Sequence, residues 1–166
     1  MRIFLIGFMT AGKTTLGRQV AALLDWPFVD LDQRLEEREG RTIAEIFTAD
    51  GEEAFRLIER QTLESLTESA ADMVVACGGG LPCFFDNMDR LNQLGQTVYL
   101  RLEVEDLLQR IRHERTDRPL VRDLTTVELE TFVRDLLQQR EPYYLKAQFV
   151  LQGAQTPQNI IDQLSL

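Results

Sequence analysis

Apolar residues recur along this chain in two rhythms. Ile3-Phe4-Leu5-Ile6 and Met73-Val74-Val75-Ala76 are unbroken apolar runs, the pattern of strands buried on both faces of a parallel sheet. Phe28-Val29, running into Asp30-Leu31-Asp32, reads as a further short strand, as do Thr97 to Leu102 and Gln148 to Leu151. Between the strands the spacing changes to three and four. Leu16, Val20, Leu23 and Leu24 define a helix from Lys13, stopped by Pro27; Val104, Leu107, Leu108 and Ile111 define another. Thr42-Ile43-Ala44-Glu45, Asp50-Gly51-Glu52-Glu53 and Thr125-Thr126-Val127-Glu128 each set an acid three residues after a capping residue, so each starts a helix. The second of these carries Phe55, Ile58, Thr62 and Leu66 along one side, and the third is expected to reach about Arg140. A helix is expected within Phe84 to Leu94, and Thr156-Pro157 opens a last one with proline at its first position. His113 to Asp123 is charged, contains Pro119 and lacks a core stripe, so it reads as a mobile loop. Strands alternating with helices predict an α/β protein with a parallel sheet covered on both faces.

Composition narrows this picture. A chain of 166 residues suits one domain with one core, and 44% hydrophobic with 27% charged residues is ordinary for a globular protein. The net charge of −9 argues against a nucleic-acid partner, which would demand a basic face. It leaves an anionic substrate open, because the field in a cleft depends on local charge. Cys77 and Cys83 make neither a disulfide framework nor a metal cluster, which points to a reduced, cytoplasmic chain. The apolar stretch over 3–11 is interrupted by glycine and followed by Lys13, so neither a membrane span nor a signal peptide is expected.

The chemistry is carried first by Gly7-Phe8-Met9-Thr10-Ala11-Gly12-Lys13-Thr14, which fits G-x-x-x-x-G-K-[ST] between a strand and a helix. Backbone N–H groups of such a loop, here spanning Thr10, Ala11, Gly12, Lys13, Thr14 and Thr15, converge on the phosphates of ATP, aided by the positive end of the helix. Lys13 reaches the β- and γ-phosphates and the Thr14 hydroxyl ligates Mg²⁺. Asp30 and Asp32 stand two apart at the end of a strand, so both face the ligand crevice. One can order the water shell of Mg²⁺; the other can accept a hydrogen bond from an acceptor hydroxyl. Arg56 and Glu59 lie on adjacent turns of one helix face, where an arginine fork suits a substrate carboxylate as well as a surface ion pair. Gly78-Gly79-Gly80 after a buried strand allows close backbone approach to a ligand. Within Arg115-Thr116-Asp117-Arg118-Pro119-Leu120, an arginine can close over transferring charge.

Taken together and in order, these segments resemble the shikimate kinases. The set comprises the phosphate loop, Phe28-Val29-Asp30-Leu31-Asp32, Ile43-Ala44-Glu45-Ile46-Phe47, Gly51-Glu52-x-x-Phe55-Arg56-x-x-Glu59, the three glycines, Arg118-Pro119-Leu120 and Arg140-x-Pro142-x-Tyr144, and it spans essentially the whole chain. The resemblance implies a three-layer P-loop kinase fold with a five-stranded parallel sheet, a substrate-binding region about 31–62 and a lid about 113–124. It implies transfer of the ATP γ-phosphate to the 3-hydroxyl of shikimate. No heptad pattern or long exposed apolar stretch calls for an obligate partner, so a monomer is expected. The resemblance assigns Asp32 to the acceptor hydroxyls, Arg56 and Arg140 to the carboxylate, the backbone of Gly78, Gly79 and Gly80 to the acceptor, and Arg118 to the phosphates. Thr14 holds Mg²⁺, with Asp30 acting through water. Gluconate is the alternative acceptor. Three positions depart from the family pattern. Thr10 replaces a glycine, so this turn is expected to need only ordinary backbone angles. Leu81-Pro82 after the glycines is unusual. Gly153-Ala154-Gln155 lacks the adenine-side arginine, leaving Gln155, Arg110 or Arg112 for that task.

Overall fold

The computed structural model describes residues 1–114, 121 and 123–166. Five strands form one parallel sheet: β1 (Arg2–Ile6), β2 (Phe28–Asp30), β3 (Met73–Ala76), β4 (Gln96–Arg101) and β5 (Phe149–Gln152), in the order β2-β3-β1-β4-β5. Leu5 is in register with Ala76, and Ile6 with Tyr99, so the C-terminal ends of β1, β3 and β4 share one edge. Ile3, Phe4, Leu5 and Ile6 are all fully buried. Neighbouring strand residues point to opposite faces, so both faces of the sheet are covered and the architecture has three layers.

The helices are α1 (Lys13–Leu24), α2 (Leu31–Glu39), α3 (Ile43–Ser65), α4 (Asn87–Leu94), α5 (Val104–His113), α6 (Thr126–Tyr144) and α7 (Pro157–Gln163). Thr42 and Thr125 start α3 and α6 with full capping boxes to Glu45 and Glu128, as the acid spacing predicts. Thr156 caps α7 through the Asn159 N–H. At Gly51 (φ 84°, ψ 174°) α3 breaks into two pieces, the two-helix arrangement expected there, although the Asp50 carboxylate pairs with Arg41 instead of capping. A small separate core of Leu35, Ile46 and Phe55 ties α2 to α3.

Four expectations need correction. β2 ends at Asp30 and Leu31–Glu39 is helical, because Asp30 is itself a cap: its Oδ1 accepts from the N–H groups of Asp32 (3.1 Å) and Gln33 (3.4 Å). The strand pattern misses this because Leu31-Asp32 continues the alternation for two residues only by chance. The third capped helix, α6, continues past Arg140 to Tyr144 with Pro142 in its last stretch, and α5 takes in His113. Thr10 has φ 61°, not ordinary angles.

The strand order puts the connections after β1 and β3 on opposite courses, β1 leading to β2 and β3 leading across to β4. Adjacent strands that part in this way open a crevice at their C-terminal ends. The phosphate loop leaves β1 there, and the three glycines leave β3 there.

Candidate active site

That crevice is a cleft of about 700 Å³. Its walls include Thr10 to Thr15 from the loop and the start of α1, Asp30 and Asp32 from the β2–α2 junction, Gly78 and Gly79, and Arg110, Glu114 and Gln155. Residues from five separate stretches thus meet at one sheet edge.

In the phosphate loop, Gly7 (φ 145°), Thr10 (φ 61°) and Gly12 (φ 94°) all take left-handed backbone conformations. A side chain at Gly7 would meet the Leu100 carbonyl at 2.9 Å, so both backbone angle and space require glycine there. Thr10 bears that conformation despite a branched Cβ, and its Oγ1 is buried without a hydrogen-bond partner. The Thr10 carbonyl accepts from Arg110 Nη1 at 3.1 Å. Arg110 thus stands against this loop, while Arg112 is exposed. Lys13 Nζ donates to the Gly7 and Phe8 carbonyls at 2.9 and 2.7 Å, folded over its own loop. Gln155 lines the cleft, with its amide turned onto the Gln152 and Gly153 carbonyls.

Thr14 Oγ1 donates to Asp30 Oδ2 at 2.8 Å, while the other Asp30 oxygen caps α2. Two hard oxygen donors side by side, with no cluster of three or more His, Cys, Asp or Glu among the described residues, fit Mg²⁺ held mainly by water and phosphate oxygens. Asp32 stands in the first turn of α2, and its proton affinity is raised, first by burial and then by the neighbouring Asp30, against the pull of Lys13. That suits a proton acceptor. The period-two argument put the two aspartates on one face of a strand; the helix cap brings them together instead.

The glycine run is explained by what crowds it. A Cβ at Gly78 would sit 2.7 Å from Asp32 Oδ1 and 3.0 Å from Glu59 Oε1. At Gly79 it would sit 3.1 Å from Arg140 Nη1, and at Gly80 2.5 Å from Arg56 Nη1. Arg56 and Arg140 do not line the cleft but stand directly against the glycines that follow β3. Arg56 is buried, bound to Glu59 at 2.9 Å and to Glu52 at 3.3 Å. Burial pushes the Glu59 carboxyl up to about 7, against the Arg56 charge beside it. Arg118 lies outside the described residues, as does the lid segment over 115–120 and 122.

Sequence reasoning gave no role to two residues here. Tyr144 donates to the Gly79 carbonyl at 2.5 Å and packs on Tyr99. Its signal was available, since Tyr144 lies one helical turn beyond Arg140. Phe84 is the second: the Arg56 guanidinium carbon lies 3.9 Å from its ring centroid. No spacing rule joins residues 56 and 84. Cys77 lines the cleft, but burial raises its thiol far out of the reactive range.

A family model described as shikimate kinase matches residues 9–165. A shikimate kinase of Parabacteroides distasonis is 44% identical over 146 residues, covering 88% of this chain and 84% of that protein. The crystal structure of a shikimate kinase from Bacteroides thetaiotaomicron superposes with a TM-score of 0.94 at 38% identity, covering 100% of this chain and 99% of that one. The shikimate kinase from Acinetobacter baumannii, solved in complex with shikimate, gives a TM-score of 0.87 at 38% identity, covering 99% and 92% of the two chains.

Proposed function

This chain belongs to the shikimate kinase family, and from that premise we propose the work of each residue in moving the γ-phosphate of ATP to the 3-hydroxyl of shikimate. The observation that carries the reading is the meeting of Asp32, Glu59 and the Arg56 fork on three successive glycines beside a phosphate loop. Phosphoryl transfer asks little covalent chemistry of the protein, so positioning and charge placement do the work. Lys13 leaves the Gly7 and Phe8 carbonyls for the β- and γ-phosphates. Asp32 holds the acceptor hydroxyl and takes its proton as the new bond forms; burial makes this carboxylate a stronger base than a solvated one. Arg56 and Arg140 bind the acceptor carboxylate, and the backbone of Gly78, Gly79 and Gly80 lies along the acceptor ring. Arg110 and Gln155 flank the nucleotide, and Arg118 of the lid serves the phosphates. Thr14, with Asp30 acting through water, would hold Mg²⁺, which would supply charge neutralisation on the phosphate oxygens.

We assign the substrate-binding region to about 31–62, a stretch that contains the satellite core joining α2 to α3. Among the described residues no helix is long and apolar enough to cross a membrane. We place the protein in the cytoplasm as a monomer, its partners being ATP and shikimate. Gluconate, the other acceptor left open by the sequence, is disfavoured by the family membership. The test is ADP release with Mg²⁺ and ATP across shikimate, gluconate and nucleoside monophosphates. Shikimate-dependent release is expected, and turnover of gluconate in preference to shikimate would refute the assignment.

A further inference from the structure

The segment after the glycine run contains a backbone feature that its own packing does not explain. Phe85 has φ 52°, a left-handed conformation that is costly for a bulky residue, and its side chain is 55% exposed. Strain of this kind persists where the surroundings over-determine it, and it points to what the neighbouring residues are held for. The neighbours are tied to α3 on two successive turns. Arg56 stacks on Phe84, at 3.9 Å from the guanidinium carbon to the ring centroid, and Arg60 lies over Phe85 at 5.7 Å. Arg60 also pairs with Asp86 and donates to Asn87 Oδ1 at 3.3 Å. Asn87 then closes the turn with a 3.0 Å bond from its Nδ2 to the Leu81 carbonyl.

We infer that Phe84 is a positioning residue for the acceptor-carboxylate subsite: the left-handed turn at Phe85 lays its ring on Arg56 and fixes the plane of that guanidinium. The inference rests on the shikimate reading above. Three observations agree. Arg56 is only 8% exposed and Phe55 contributes a second ring 5.0 Å away, so stacking occurs where water does not compete. Stacking occupies a face of the guanidinium and leaves its in-plane N–H groups, which here reach Glu59 and Glu52 and are the ones that bind a carboxylate in a fork. One of those donors, Nε, is buried with no partner in the protein. A ring that holds the plane in advance spares the ligand the loss of arginine rotamer freedom.

The experiment is steady-state kinetics on the full chain for wild type, Phe84→Leu, Phe84→Tyr, Arg56→Lys and Arg56→Lys/Phe84→Leu, with melting temperatures alongside. Phe84→Leu is expected to raise KM for shikimate about tenfold, with KM for ATP moving less than twofold. Phe84→Tyr, which keeps the ring, should restore KM for shikimate to within twofold of wild type. In the Arg56→Lys background, where no planar cation remains to stack, Phe84→Leu should add less than twofold. Phe84→Met keeps apolar volume without a ring and gives the same readout should the leucine variant fail to fold. A lowered melting temperature with unmoved KM for shikimate would overturn the inference, as would the full tenfold effect surviving in Arg56→Lys. Wild-type enzyme that does not phosphorylate shikimate would overturn both this inference and the reading beneath it; wild-type turnover with the first two results overturns this one alone.

Discussion

Replacing Thr10 with glycine should make this protein more stable, against the usual direction of point mutations. An L-residue in the left-handed region costs about 1–2 kcal/mol, and Thr10 sits there at φ 61°. Its Oγ1 is buried without a partner, an unsatisfied hydroxyl worth about 1–3 kcal/mol of cost. Glycine gives back about 1 kcal/mol in backbone entropy and loses about 0.8 kcal/mol from the buried methyl. The net, at the middle of those ranges, is a gain of about 1.7 kcal/mol. At roughly 2–4 °C per kcal/mol for a chain of this size, the melting temperature should rise by roughly 3–7 °C. The loop should keep its shape, because its backbone bonds, from Arg110 Nη1 to the Thr10 carbonyl and from Ala11 N to the Phe8 carbonyl at 3.2 Å, need no side chain at position 10. Differential scanning calorimetry on wild type, Thr10→Gly and Thr10→Ala separates the two causes. Thr10→Ala removes the hydroxyl but keeps the backbone strain, so it should fall between the other two. A melting temperature for Thr10→Gly below wild type would show that Thr10 is not strained as described.

Three further outcomes are expected. Gly80→Ala places a methyl 2.5 Å from Arg56 Nη1, so it should raise KM for shikimate well above tenfold with little change in KM for ATP; equal effects on both substrates would contradict the placement of Arg56. Lys13→Ala should lower turnover by about 10²–10⁴-fold, the loss typical of a preorganised charge, and near-normal turnover would remove Lys13 from the chemistry. Glu59 is pushed up to about 7 by burial from an ordinary 4.5, so the folded protein binds its proton more tightly than the unfolded chain does. Its contribution to stability is therefore full below pH 4.5 and is lost as pH rises through 7. The stability advantage of wild type over Glu59→Gln, followed by chemical denaturation, should shrink between pH 5 and pH 8; a constant or growing difference would refute the cause.

Much of the fold was legible because it is written in local periodicity. Unbroken apolar runs mark strands buried on both faces, three-and-four spacing marks α1 and α5, and an acid three residues after threonine marks the starts of α3 and α6. The loop between β1 and α1 was legible for the same reason, since the G-x-x-x-x-G-K-[ST] pattern sets fixed residue types at fixed spacing. The β2–α2 junction misled because Asp30 continues a strand pattern while capping a helix, and a capping bond competes with the strand at a single residue.

The sequence by itself determined which groups this chain can bring to a site: a phosphate-loop pattern at Gly7 to Thr14, carboxylates at Asp30 and Asp32, and guanidinium forks at Arg56 and Arg140. Only the tertiary structure decided how they meet. The left-handed backbone of Thr10 is imposed by a loop that must turn between β1 and α1 under Arg110, a residue one hundred positions away. The three glycines are small because Asp32, Glu59, Arg140 and Arg56 press against them from three different helices. Phe84 reaches Arg56 because the turn at Phe85 points it there. Such contacts join positions far apart in the chain, where no period links them, and they arise only when the sheet edge gathers the loops into one cleft.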